Sequence, residues 1–155
     1  MENEGLPEPQ LSDPKEKLIL LVDDDESLLD IVEHVVRREG FRTDRAVDGP
    51  EALTKAEALL PDLILLDFML PGKGGYEVIR DLQASGNGNI PVIVITGRQL
   101  DEKQIAMVRL ESNVKDFLIK PMRPPVLVAL IHNLLKTRPP DLDRTSRGRP
   151  MTGGL

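Results

Sequence analysis

Between residues 18 and 136, short apolar runs alternate with longer stretches whose apolar residues recur every three or four positions. The run LILLV at 18–22 is apolar throughout, which predicts a strand buried on both faces of a sheet. A helix is expected next, with Ser27 as its cap, Leu28, Ile31, Val32 and Val35 as its inward stripe, and Gly40 as the left-handed stop. Residues 41–46 read as a more polar strand, and Asp48-Gly49-Pro50 then places a turn and a proline at the start of a helix to Leu59, ended by Pro61. A buried strand at 63–66, a loop at 71–75 and a helix at 76–84 follow. Pro91 opens a strand at 92–95, and the helix at 101–111 stops near Asn113, a residue type that tolerates left-handed geometry. Residues 116–119 give the last strand, and Pro124 or Pro125 starts a helix reaching Lys136.

Five strand and helix pairs in strict alternation predict an α/β fold, a doubly wound five-stranded parallel sheet with helices on both faces. Ligands of such sheets sit at the carboxyl ends of the strands. Outside this domain, 18–136, residues 1–17 are rich in Glu, Pro and Asp and are expected to form a flexible arm. Residues 137–155, broken by repeated Pro and Gly, are expected to be a disordered, solvated tail.

Composition narrows the picture. At 155 residues, 40% hydrophobic and 30% charged, the chain has the size of one globular domain. No apolar run approaches the roughly 18 residues of a membrane span, and Met1-Glu2-Asn3-Glu4 lacks the basic start of a signal peptide, so a cytoplasmic protein is expected. Without cysteine, a metal must be held by oxygen or by two histidines. The net charge of -6 argues against broad attraction to nucleic acid or anionic membrane.

The chemistry gathers at the predicted strand ends. Asp23, Asp24 and Asp25 follow the first strand, Asp67 ends the third, Thr96 the fourth and Lys120 the fifth. Converging carboxylates repel, by roughly 4 kcal/mol for a pair 4 Å apart at an effective dielectric of 20. One Lys120 and one hard divalent cation would offset this, and oxygen donors with open water positions suit magnesium, with manganese as an alternative. A carboxylate beside such a cation is an available nucleophile for phosphoryl transfer. Thr96 could donate to a phosphoryl oxygen and Lys120 could pair with another.

These residues, Asp23-Asp24 after LILLV, Asp67 in LILLDFMLPGKGG, Thr96-Gly97 after PVIVI and Lys120-Pro121 after DFLI, closely resemble those of bacterial response-regulator receiver domains over about residues 17–136. The resemblance implies a flavodoxin-like fold with sheet order 2-1-3-4-5, and phosphorylation of Asp67 by a phosphohistidine of a sensor histidine kinase or phosphotransfer protein. It implies a Mg2+ site formed by Asp24, Asp67 and the backbone carbonyl of Met69, with Asp23 acting through water. It further implies a switch pair, Thr96 and Phe117, a supporting turn at Pro71, Gly75 and Pro121, and output through the face of helix four, strand five and helix five. Asp25 falls outside that pattern and is expected to start the first helix.

With 19 residues after Lys136, no output domain is expected in the chain, so the signal should pass to a separate protein. The chain could equally be a piece of a longer regulator. Helix five is apolar over more of its circumference than packing requires, which makes Val126 and Leu130, or Val128 and Leu135, candidates for a partner or phosphorylation-dependent homodimer surface. His34 and His132 are expected on polar helix faces. Two rival readings are a receiver that binds partners without phosphorylation and an aspartate-nucleophile phosphohydrolase. The latter usually has an acid two residues after its nucleophile, where this chain has Met69.

Overall fold

The structure is a computed structural model and describes residues 10–97 and 100–140. It contains β1 (Leu18–Val22), α1 (Glu26–Arg38), β2 (Arg42–Ala46), α2 (Gly49–Leu59), β3 (Leu63–Asp67), α3 (Gly75–Ala84), β4 (Val92–Thr96), α4 (Glu102–Arg109), β5 (Val114–Ile119) and α5 (Pro124–Leu135). The strands form one parallel sheet in the order β2-β1-β3-β4-β5, as expected.

The period-two alternation of strand side chains divides the core into two layers. Leu20, Val22, Ile64, Leu66, Val92 and Val94 pack against α2, α3 and α4 through Ala52, Val78 and Val108. Ile19, Leu21, Leu63, Leu65, Ile93 and Ile95 pack against α1 and α5 through Leu29, Val36, Leu127 and Ile131. The central strands are therefore apolar at every position except the last of β3 and β4, Asp67 and Thr96, and every residue of those two strands is buried.

The local signals differ from expectation at four places. Helix α1 is capped by Asp25, whose carboxylate accepts the Leu28 amide at 3.2 Å, rather than by Ser27. Its inward stripe is Leu29, Val32 and Val36, and Ile31 is 60% exposed. Two adjacent stripes of α1 are apolar, so periodicity gives the helix but not its rotation. Asn113 is not left-handed: it is buried, accepts from the Gln83 amide at 2.8 Å and donates to the Ile79 carbonyl at 3.2 Å. Residues 10–17, expected to be part of a flexible arm, are ordered, with a 3-10 turn at Pro14–Glu16 and a parallel bridge between Ser12 and Thr137. Thr137, expected to open the tail, is buried in that contact. The remainder of the expected arm and tail, 1–9 and 141–155, lies outside the described residues.

Candidate functional site

Parallel register sets the strand ends at nearly one level. Val22 pairs with Leu66, Asp67 with Ile95 and Thr96 with Ile119, so Asp23, Asp67, Thr96 and Lys120 emerge together at the carboxyl edge. The carboxylates of Asp23, Asp24 and Asp67 each place an oxygen within 4.8 Å of the others. Asp23 and Asp67 are buried and Asp24 is exposed, an arrangement with one side open to incoming ligands.

Each buried carboxylate has an amide on one oxygen and a shared ammonium on the other. Asp23 Oδ1 accepts the Asp25 amide at 2.9 Å, and Asp67 Oδ1 accepts the Met69 amide at 3.1 Å. Lys120 Nζ lies 3.3 Å from Asp23 Oδ2 and 3.2 Å from Asp67 Oδ2. Burial pushes the Asp23 carboxyl above its ordinary pKa; the Asp25 amide opposes this, the Asp67 charge adds to it, and Lys120 only partly relieves it. For Lys120, burial pulls downward, but the charges of Asp67 and Asp23 more than offset it and hold the ammonium above its usual range. The site thus carries more negative charge than its lysine neutralises.

Thr96 is 1% exposed, and its hydroxyl has no hydrogen-bond partner among the described residues. Leaving a buried hydroxyl unpaired costs on the order of 1–3 kcal/mol, which suits a group reserved for a ligand. Phe117 pairs with Val94, two residues before Thr96 on β4, so Thr96 and Phe117 share one face of the sheet. Its ring is buried, with the Arg109 guanidinium carbon 5.2 Å from the ring centroid.

The loop after β3 is shaped by Gly75, whose amide donates to the Phe68 carbonyl at 3.0 Å. A Cβ there would lie 2.7 Å from the Phe68 Cα, so only glycine closes this turn. Pro71 is exposed on the loop, and the Lys120-Pro121 peptide bond is cis. Met69 reaches Asp67 through its amide, and its side chain is 51% exposed beside the site. No carboxylate occupies that position.

His34 is exposed, as expected, but His132 is a correction. It is buried on α5, with its ring nitrogens 2.7 Å from Glu39 Oε1 and 2.8 Å from Thr137 Oγ1. The helical wheel puts it beside polar residues, but its partners come from the residue that follows α1 and from the segment beyond α5, which no local pattern reports. The sequence also left unnoticed Glu111, which accepts from Tyr76 at 2.9 Å and Gln83 at 3.0 Å. A third unforeseen feature is a groove of about 220 Å3, lined by Leu28, Ile31, Val35, Met122 and Pro124, with Lys120 at its edge.

Comparison with known proteins agrees with this geometry. Residues 19–132 match the family described as the response regulator receiver domain. The DNA-binding response regulator MtrA of Mycobacterium tuberculosis is 40% identical over 124 residues, covering 80% of this chain and 53% of that protein. The sensory transduction protein RegX3 of Mycobacterium bovis is 36% identical over 130 residues, covering 84% and 56%. The chain thus spans about half the length of these curated relatives. The crystal structure of a CheY-like response regulator receiver domain protein from Methanospirillum hungatei superposes with a TM-score of 0.71 at 28% identity, covering 77% of this chain and 93% of that one.

Proposed function

Because the chain belongs to the response-regulator receiver-domain family of two-component systems, we propose that Asp67 accepts a phosphoryl group from a phosphohistidine of a sensor kinase or phosphotransfer protein. The observation that carries this reading is the convergence of three carboxylates within 4.8 Å, next to one shared lysine and a buried, unpartnered threonine hydroxyl. An Asp67 carboxylate oxygen attacks phosphorus, the bond from phosphorus to the imidazole nitrogen breaks, and its electron pair leaves with the imidazole. Asp67 becomes an aspartyl phosphate.

The excess of carboxylate oxygens over positive charge fits a hard divalent cation, which receiver domains generally bind at such an acidic pocket. Asp24, Asp67 and the Met69 carbonyl would hold Mg2+ or Mn2+, with Asp23 acting through water. When bound, the cation supplies charge neutralisation as the two anions approach. The protein's own residues do the rest. Lys120 can follow the charge from the carboxylate to the phosphoryl oxygens, and Thr96 can at last donate its hydroxyl.

The new group adds roughly -1.5 to -2 charges near neutral pH, enough to draw Thr96 toward it and alter the packing of Phe117 on the same sheet face. Output through α4, β5 and α5 is supported by exposed apolar side chains on and beside them, Met107, Leu110, Ile119 and Val126. We place a separate protein target and phosphorylation-dependent self-association there. A sedimentation mass unchanged by phosphorylation would remove the second of these.

For the donor protein we assign the apolar groove beside α1. It adjoins Lys120, so a helix lying in it would bring its histidine to the open side of the site. Phosphotransfer from a panel of histidine kinases tests the function: label should reach the wild type and not Asp67→Asn, and equal labelling of both would refute it. A second reading, a piece of a longer regulator rather than a stand-alone receiver, is favoured by the half-length match to relatives named as DNA-binding.

A further inference from the structure

We propose that residues 11–17 form an intramolecular clasp that fixes the path on which the chain leaves α5. At the end of that helix Lys136 adopts a left-handed conformation, φ 54°, and turns the chain aside. The next residue, Thr137, pairs in parallel with Ser12. The Ser12 amide donates to the Lys136 carbonyl at 2.8 Å, the Arg138 amide to the Ser12 carbonyl at 2.9 Å, and the Arg138 guanidinium to the Leu11 carbonyl at 2.7 Å. These bonds hold both backbones side by side.

His132 locks the contact from beneath. Its Nε2 faces the Glu39 carboxylate at 2.7 Å, an acceptor, so that nitrogen carries a proton. Its Nδ1 lies 2.8 Å from the Thr137 hydroxyl oxygen, in hydrogen-bond contact, while the Thr137 amide donates to the His132 carbonyl at 3.1 Å. The imidazole packs on Phe41 with ring centroids 5.0 Å apart. One buried side chain therefore connects the end of α1, the end of α5 and the outgoing chain.

The other end of the clasp is anchored independently. Pro14 is buried against Gly40, where a Cβ would come within 3.1 Å of the proline ring. Arg42 donates through Nε to the Lys15 carbonyl at 3.0 Å, and its amide to the Lys17 carbonyl at 3.1 Å. With the segment tied at both ends, a displacement of α5 must either break the pairing at Ser12 or take the segment with it. The clasp lies at the opposite end of α5 from Lys120 and assumes nothing about phosphoryl chemistry.

Amide hydrogen exchange on the full chain, followed by NMR, tests this. In the wild type the Arg138 amide is expected to be protected. Ser12→Pro removes the bond to Lys136 and should speed exchange at Arg138 by about five- to tenfold, the equivalent of one net hydrogen bond, while leaving Ile64 and Val92 unchanged. Thr137→Val, which removes only the hydroxyl, should act in the same direction. If Ser12→Pro loosens the whole domain, protection in the wild type decides. Exchange at Arg138 at the rate of an unstructured chain, or unaltered protection in both variants, would overturn the proposal.

Discussion

At the scale of single residues, the site holds two groups in unfavourable states, the unpaired hydroxyl of Thr96 and the buried carboxylate of Asp23. Thr96 has a buried hydroxyl without a partner, so Thr96→Val should leave thermal stability unchanged or raise it by about 2–4 °C, near 1 kcal/mol, while shortening the lifetime of the aspartyl phosphate. Calorimetry and decay of the labelled protein check both parts. Asp23 is destabilised by burial and by the Asp67 charge, and its raised pKa means that folding disfavours its ionised form. Stability linked to this group therefore rises as pH falls through the folded value. Asp23→Asn should melt higher than the wild type at neutral pH without divalent cation, the gap closing on acidification, and on the proposed reading added Mg2+ should raise the melting temperature of the wild type more than that of the variant. These groups were legible in the sequence because each follows an apolar run, and the end of a buried parallel strand has one place to be. His132 was not, because its burial depends on Glu39 and Thr137, which the fold brings to it.

At the scale of elements, alternation located every strand and helix, and local capping chemistry placed most boundaries within a residue or two. What it left open was rotation about helix axes. Helix α1 is apolar on more than one stripe, and only the packing of Leu29 and Val36 on the sheet decides that Ile31 faces outward. That exposure gives a prediction: Ile31→Glu should slow transfer from a cognate kinase by about tenfold, with stability within about 0.5 kcal/mol of the wild type. Labelling by acetyl phosphate, which needs no docking, should be unaffected. Between α3 and the turn after α4, the Gln83 amide holds the Glu111 carboxyl below its usual range against the opposing effect of burial, with Tyr76 and Arg80 assisting. Stability from a lowered pKa is present above the unfolded value, about 4.3, and is lost as pH falls through the folded one. Acid titration of unfolding should therefore be steeper for the wild type than for Glu111→Gln below about pH 5.

At the scale of the molecule, strict alternation and right-handed crossovers pointed to a parallel sheet covered on both faces, the strand order came only from the resemblance, and the structure bears out both. Composition misjudged residues 10–17 because it weighs a segment by what it can bury alone, whereas Pro14 and Ser12 are held by Gly40 and Thr137. The two-layer core holds five strand ends at one edge, and there the central claim can be tested without any knowledge of partner proteins. The protein is incubated with acetyl phosphate and Mg2+, and its intact mass is measured beside that of Asp67→Asn. The account predicts the mass of one phosphoryl group added to the wild type, lost with chelator present from the start, and absent from the variant. Equal addition to both proteins, or none to either, would contradict it.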